Sequence, residues 1–182
     1  MPIYNIPKLE RIIKNYQSNG RKQVDNHVSY CVGQTNLKNA IEVAAKAVDE
    51  NNKTHFHQRR VGRTELNIFA EKLVLFEEEV NAVTTFDEIF DIVKKAHTEG
   101  VNELAFFDTA FRIGSFLKIF PDKIYLTSGT RIGAEHLLGS LSGKTFLLPE
   151  ELPIPFQLLN LTVADIEDIL YTYRDELEYC VK

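Results

Sequence analysis

The chain has 182 residues, of which 44% are hydrophobic and 26% charged, with a formal net charge of −5. This is the composition of an ordinary globular protein, and it excludes a disordered or fibrous chain. The acidic balance argues against non-specific binding to long nucleic acid, which depends on phosphate neutralisation, while leaving room for a local basic face.

The first stretch, MPIYNIPKLERIIKNYQ, carries charges where a signal peptide needs an apolar run. No segment approaches the roughly 18 consecutive apolar residues of a membrane span. Two cysteines, Cys31 and Cys180, stand far apart, so they form no disulfide framework and no paired-cysteine metal motif. The reading is a reduced, cytoplasmic protein with no membrane partner.

A first helix is expected from Pro7 to Asn19, with Leu9, Ile12, Ile13 and Tyr16 on one face and Gly20 as its stop. Residues 21–35 are open between a short helix and an irregular connection. Asn36 is placed to cap a helix reaching about Glu50, with Leu37, Ala40, Ile41, Ala44 and Val48 facing one way. Next comes KTHFHQRRVGR, residues 53–63, the densest basic segment of the chain. Whether it is loop or helix stays open. It leads into a helix whose Leu66, Phe69, Leu73, Phe76 and Val80 form one stripe, with Glu77, Glu78 and Glu79 near its end. Thr85 and Glu88 read as a capping box for the following helix, with core residues Phe86, Ile89, Phe90 and Val93.

The most informative stretch is Gly100–Gly139. Phe106, Ala110, Ile113, Leu117 and Phe120 make an apolar helical stripe, with Asp108, Arg112 and Ser115 off it. Pro121 stops that helix. Ile124–Leu126 looks extended, and Thr127-Ser128-Gly129-Thr130 supplies turn and cap chemistry for a helix from about Arg131 to Leu138. Residues 140–160 read as a loop-rich connection. Thr162 caps a last helix with Ile166, Leu170, Tyr173, Leu177 and Cys180 inward. The expectation is an all-α, compact, irregular bundle of six or seven helices in one domain, residues 1–182, with a short extended piece at 124–126.

Three constellations carry chemistry. Ser128, Gly129, Thr130 and Arg131 open a helix, where unpaired N–H groups and a guanidinium suit a phosphate or carboxylate, although the same residues also serve as a plain cap. Asp108 and Arg112 are one helical turn apart, so they are either a surface ion pair or a cleft carboxylate oriented by a cation. Arg59, Arg60 and Arg63 are candidates for phosphate or nucleic-acid contact, against a solvated face or a salt-bridge partner for the acidic last helix. His55 and His57 would share a face of extended chain, but no third ligand follows at motif spacing, so neither metal nor cofactor is read here. No nucleophile motif, Walker pattern or metalloprotease helix is present.

DTAFRIG followed by PDKIYLTSGTRIGA resembles a pattern in bacterial proteins of uncharacterised function, over residues 85–139. The segment Phe107-Asp108-Thr109, with Arg112 and Ile113, is also similar to an element of helix-hairpin-helix DNA glycosylases. There the Asp–Thr pair opens a helix and the aspartate is catalytic. That resemblance implies Asp108 as a catalytic residue, although Gly100-Val101-Asn102 lacks the second hairpin glycine and iron–sulfur cysteines are absent. The leading expectation is a binder of a phosphate-bearing ligand or nucleic acid. The alternatives are a protein–protein interaction module and an enzyme acting on nucleic acid or nucleotides.

Overall fold

The structure is a computed structural model, and it describes residues 2–20 and 25–182. Among these residues are eleven α-helices and one two-stranded antiparallel sheet. The chain is therefore mainly helical, and six or seven helices was an undercount. None of its helices is long and apolar enough to cross a membrane.

The chain divides into two compact units, Val24–Pro121 and Met1–Gln23 with Asp122–Lys182. The continuous unit contains α2 (Asn26–Val32), α3 (Leu37–Lys46), α4 (Arg63–Val74), α5 (Glu77–Asn81), α6 (Phe86–Lys95) and α7 (Glu103–Leu117). Caps set most of the starts: Asp25 accepts from His27 N–H, Asn36 from Asn39, and Asn102 from Ala105. Thr85 and Glu88 form the expected capping box of α6. α3 and α7 end at Ala47 and Lys118, both in the left-handed region, with φ of 53° and 60°. Helix α3 therefore stops four residues short of Glu50, and Phe120 falls outside α7 and is exposed.

The run expected as one helix to Val80 breaks at Leu75–Phe76. Glu77, Glu78 and Glu79 consequently occupy the first turn of α5, where the helix dipole favours anions rather than opposing them. Glu79 also pairs with Lys95 at 3.0 Å. The core of this unit gathers Ile41, Ala44, Leu66, Phe69, Leu73, Ile89, Val93, Ala110 and Ile113, all fully buried. Each large side chain among them contributes about 1.5–3 kcal/mol relative to exposure.

The other unit contains α1 (Ile6–Asn15), β1 (Ile124–Tyr125), α8 (Ser128–Leu138), β2 (Phe146–Leu147), α9 (Ile154–Leu158), α10 (Val163–Thr172) and α11 (Arg174–Leu177). β1 and β2 pair antiparallel, Ile124 opposite Leu147. α1 continues as one π turn, Tyr16–Gly20. Thr162 and Asp165 cap α10 as expected, but the helix breaks at Tyr173, so the last stripe spans two helices and a 3-10 turn. Leu9, Ile12, Ile13, Leu137, Phe156, Ile166, Ile169, Leu170 and Leu177 form its core. Residues 3–5 meet residues 180–182: Tyr4 bridges Val181, and Asn5 N–H donates to the Cys180 carbonyl at 2.8 Å.

Candidate functional site

The histidines of the basic segment are delivered by a tight hairpin after α3. Ala47 ends the helix, Val48 pairs with Thr54, and the Asp49 carboxylate accepts from the N–H groups of Asn51 and Lys53. His55 then caps a 3-10 turn, Phe56–Gln58, before the chain reaches Gly62 and enters α4 at Arg63. Residues 53–62 are therefore loop and a single tight turn, which settles the open question about this segment.

That turn lies against α7. His57 Nδ1 is 3.0 Å from Asp108 Oδ2, and Gln58 Nε2 donates to the same oxygen at 2.7 Å. Gln58 is buried, and its Oε1 accepts from Arg112 Nη2 at 3.3 Å. Arg112 is buried too; its Nη1 donates to the Ala44 carbonyl at 3.3 Å, and its Nη2 stands 4.0 Å from Asp108. Its Nε is buried with no hydrogen-bond partner among the described residues. Asp108 and Arg112 are thus part of an interior network, not a surface ion pair.

The electrostatics fix proton positions. Burial works against the charge on Asp108, but the His57 hydrogen bond, the Arg112 charge and the Gln58 amide outweigh it and hold the carboxyl below its usual range. An ionised Asp108 only accepts, so His57 donates to it from Nδ1. His55 is pushed down to about 4, by burial first and then by the Arg112 charge, with Asp108 and Asp25 pulling the other way. It is neutral at pH 7. His55 Nδ1 lies 3.1 Å from Gln58 Oε1 and 3.4 Å from the His57 N–H. Accepting from the His57 N–H needs a bare Nδ1, whereas meeting Gln58 Oε1 needs a proton on it, and the shorter contact, to an oxygen, favours Nδ1 as donor.

Two groups of metal-ligand type meet at His55: Asp25 with His27 and His55, and His55 with His57 and Asp108. In each, the ligand atoms lie within 4.8 Å of one another. The absence of a third ligand at motif spacing is thus a statement about sequence only. Asp108 reaches the histidines from 51 positions away, through the packing of the 3-10 turn on α7. Asp25 and His27 were missed because they sit in the stretch left open; an acidic cap followed by His27, ahead of a His-x-His pair, is the one local signal that pointed there.

The remaining expected residues divide by unit. Arg59, Arg60 and Arg63 are exposed in the same unit as Asp108, with Arg59 Nε 3.4 Å from the Thr54 carbonyl and Arg63 Nη2 2.8 Å from that of Asn52. Ser128, Gly129, Thr130 and Arg131 belong to the other unit, and there the structure corrects the expected start: α8 begins at Ser128 because Thr127 is its extended cap. Gly129 faces the Tyr171 ring, which a Cβ would meet at 2.3 Å, so its small size serves helix packing. The Thr130 hydroxyl is buried against that of Thr127 at 3.1 Å. Arg131 donates to the carbonyls of Leu141 and Lys144 at 3.2 and 2.6 Å. Of the four, only Ser128 is exposed.

No protein-family model, curated protein or solved structure matches the chain.

Proposed function

We propose that the Val24–Pro121 unit acts on a phosphate-bearing substrate, a nucleotide or a nucleic acid, with Asp108 and His57 as its reactive pair. The observation that carries this reading is the Asp108 carboxylate of α7, one turn from Arg112 and held by His57 and Gln58 of the segment that exposes three arginines. The carboxylate accepts from His57 Nδ1 and so orients the imidazole as an acid–base group beside it. Arg59, Arg60 and Arg63 give the acidic protein a local attraction for phosphate. Anion binding without catalysis is the simpler form of this reading, and it uses the same arginines.

Titration calorimetry and turnover assays with ATP, pyrophosphate and short oligonucleotides test the reading. Binding should weaken as salt rises and be lost when Arg59, Arg60 and Arg63 are changed together to Ala. Asp108→Asn should keep binding and abolish turnover. A wild type that binds none of these probes defeats the reading; binding with no turnover leaves the anion binder.

An interaction module is the second reading. It is favoured by α9, where Ile154 and Leu158, one helical turn apart, are 62% and 74% exposed. Ile154→Lys with Leu158→Lys should then abolish self-association or partner capture without lowering stability. Unchanged behaviour in sedimentation and pull-down would count against it.

A further inference from the structure

Asp25, His27 and His55 present a separate problem of hydrogen-bonding balance. His27 Nε2 is 3.0 Å from the Lys53 carbonyl, which can only accept, so the His27 proton is on Nε2. His55 has its proton on Nδ1, facing Gln58 Oε1. The other ring nitrogens, His27 Nδ1 and His55 Nε2, both face the Asp25 carboxylate, at 3.3 Å from Oδ1 and 4.0 Å from Oδ2. At this range the carboxylate and the two ring nitrogens need a proton or a metal ion between them. We propose that Asp25, His27 and His55 bind one divalent transition-metal ion of the zinc class.

Four features support the site. Two imidazoles and a carboxylate are the donor set of open zinc and related centres, whereas magnesium and calcium take oxygen ligands. A tetrahedral ion with bonds of about 2.0–2.1 Å has ligand atoms about 3.3 Å apart, close to the His27–Asp25 separation of 3.3 Å. Each histidine donates its other N–H to an oxygen, which fixes the tautomer and ring orientation, as metal-bound histidines characteristically do. The Asp25 side chain is 40% exposed and the two rings are 12% exposed, so an ion reaches the site from the Asp25 side.

The neighbouring group of His55, His57 and Asp108 is the weaker host. Asp108 already accepts from Gln58 and lies 4.0 Å from the Arg112 guanidinium, whose charge opposes a second cation there. The metal site does not depend on the Asp108 chemistry. A protein that binds zinc but no phosphate keeps this proposal and loses the previous one.

The test uses the full chain without an affinity histidine tag, stripped with a chelator and titrated with Zn²⁺ and with Co²⁺. One ion per chain is expected, with visible d–d absorption from Co²⁺ and a higher unfolding midpoint with Zn²⁺. His27→Ala and Asp25→Asn should each weaken binding at least about tenfold, since even outer-shell changes have effects of that order. His57→Ala should leave affinity within about threefold of wild type. Should His27→Ala fail to fold, Asp25→Asn decides, because the asparagine oxygen can still accept from the His27 N–H. A wild type that binds neither ion overturns the proposal, and His27 is then simply protonated beside Asp25. Affinity unchanged in Asp25→Asn, or lost in His57→Ala and kept in His27→Ala, also overturns it.

Discussion

The backbone of Gly133 in α8 lies directly against that of Leu170 in α10: a Cβ on Gly133 would sit 2.0 Å from the Leu170 carbonyl oxygen and 2.8 Å from its carbonyl carbon. The obstacle is backbone, so no side-chain rotation relieves it. Gly133→Ala must separate two helices that share Leu137 and Leu170 in one core. The expected cost is about 3 kcal/mol or more, the upper range for overpacking. Urea unfolding curves check it, and a midpoint equal to wild type would contradict this contact.

Arg131→Ala is expected to lower stability. The guanidinium ties the carbonyls of Leu141 and Lys144 to the first turn of α8 and lies 3.8 Å from Glu135. Its side chain is 32% exposed, so water replaces part of what is lost. A loss of about 1–2 kcal/mol is expected, below the full value of two bonds from a charged donor. Thermal melts of the two proteins decide this. An unchanged melting temperature combined with lost phosphate binding would instead restore Arg131 as an anion ligand.

Acid should act on α6 through Glu88. Hydrogen bonds from the Thr84 and Thr85 N–H groups, helped by the Thr85 hydroxyl, hold its carboxyl below the ordinary 4.5. The folded value is depressed, so the stabilisation is complete above the unfolded value and disappears as pH falls through the folded one. Glu88→Gln retains an acceptor and removes the titration. The stability difference between wild type and Glu88→Gln should be constant near neutrality and shrink below pH 4.5. A difference that grows on acidification would reverse the sign of this argument.

Neither thiol should react in the native protein. Cys31 and Cys180 are fully buried, and burial pushes the Cys31 thiol up to about 12 despite the opposing Arg112 charge. The Cys31 Sγ also lies 3.4 Å from the carbonyls of both Ala40 and Arg112, either of which can accept its single proton. An aromatic disulfide reagent at pH 8 should label nothing until denaturant is added, and then label two thiols per chain. Labelling of one thiol under native conditions would show local opening of the unit that holds it.

The sequence was most readable where one residue type does one local job. Asn36, Thr85 and Thr162 cap where their short polar side chains predicted, and the apolar stripes mark most of the buried faces. It was least readable where helices end without proline or glycine. Phe76 and Tyr173 break helices through backbone angles near −94°, 13° and −102°, 15°, which many residues adopt. Ala47 and Lys118 take left-handed conformations normally left to glycine. At the site, Asp108 and Arg112 were visible as a helical pair. Gln58, which joins them to His55, has no motif and acquires its role from packing alone. Gly129 and Arg131 were read as ligand chemistry because nothing local distinguishes a close helix approach or a loop tie from an anion site.

The meeting of residues 3–5 with residues 180–182 sets an order of assembly. The Val24–Pro121 unit is uninterrupted in sequence, whereas the other unit cannot pair Tyr4 with Val181 until residue 181 has been made. Its pairings therefore have the longest sequence separation in the chain, and contacts of that kind form slowly. During synthesis the helix at Ile6–Asn15 must wait, its apolar face uncovered, while the inserted unit folds. A chain ended after Pro121 should accordingly resist protease over residues 25–121 and be cut within residues 6–15. Equal protection of both segments would mean that α1 finds cover before its final partners are made.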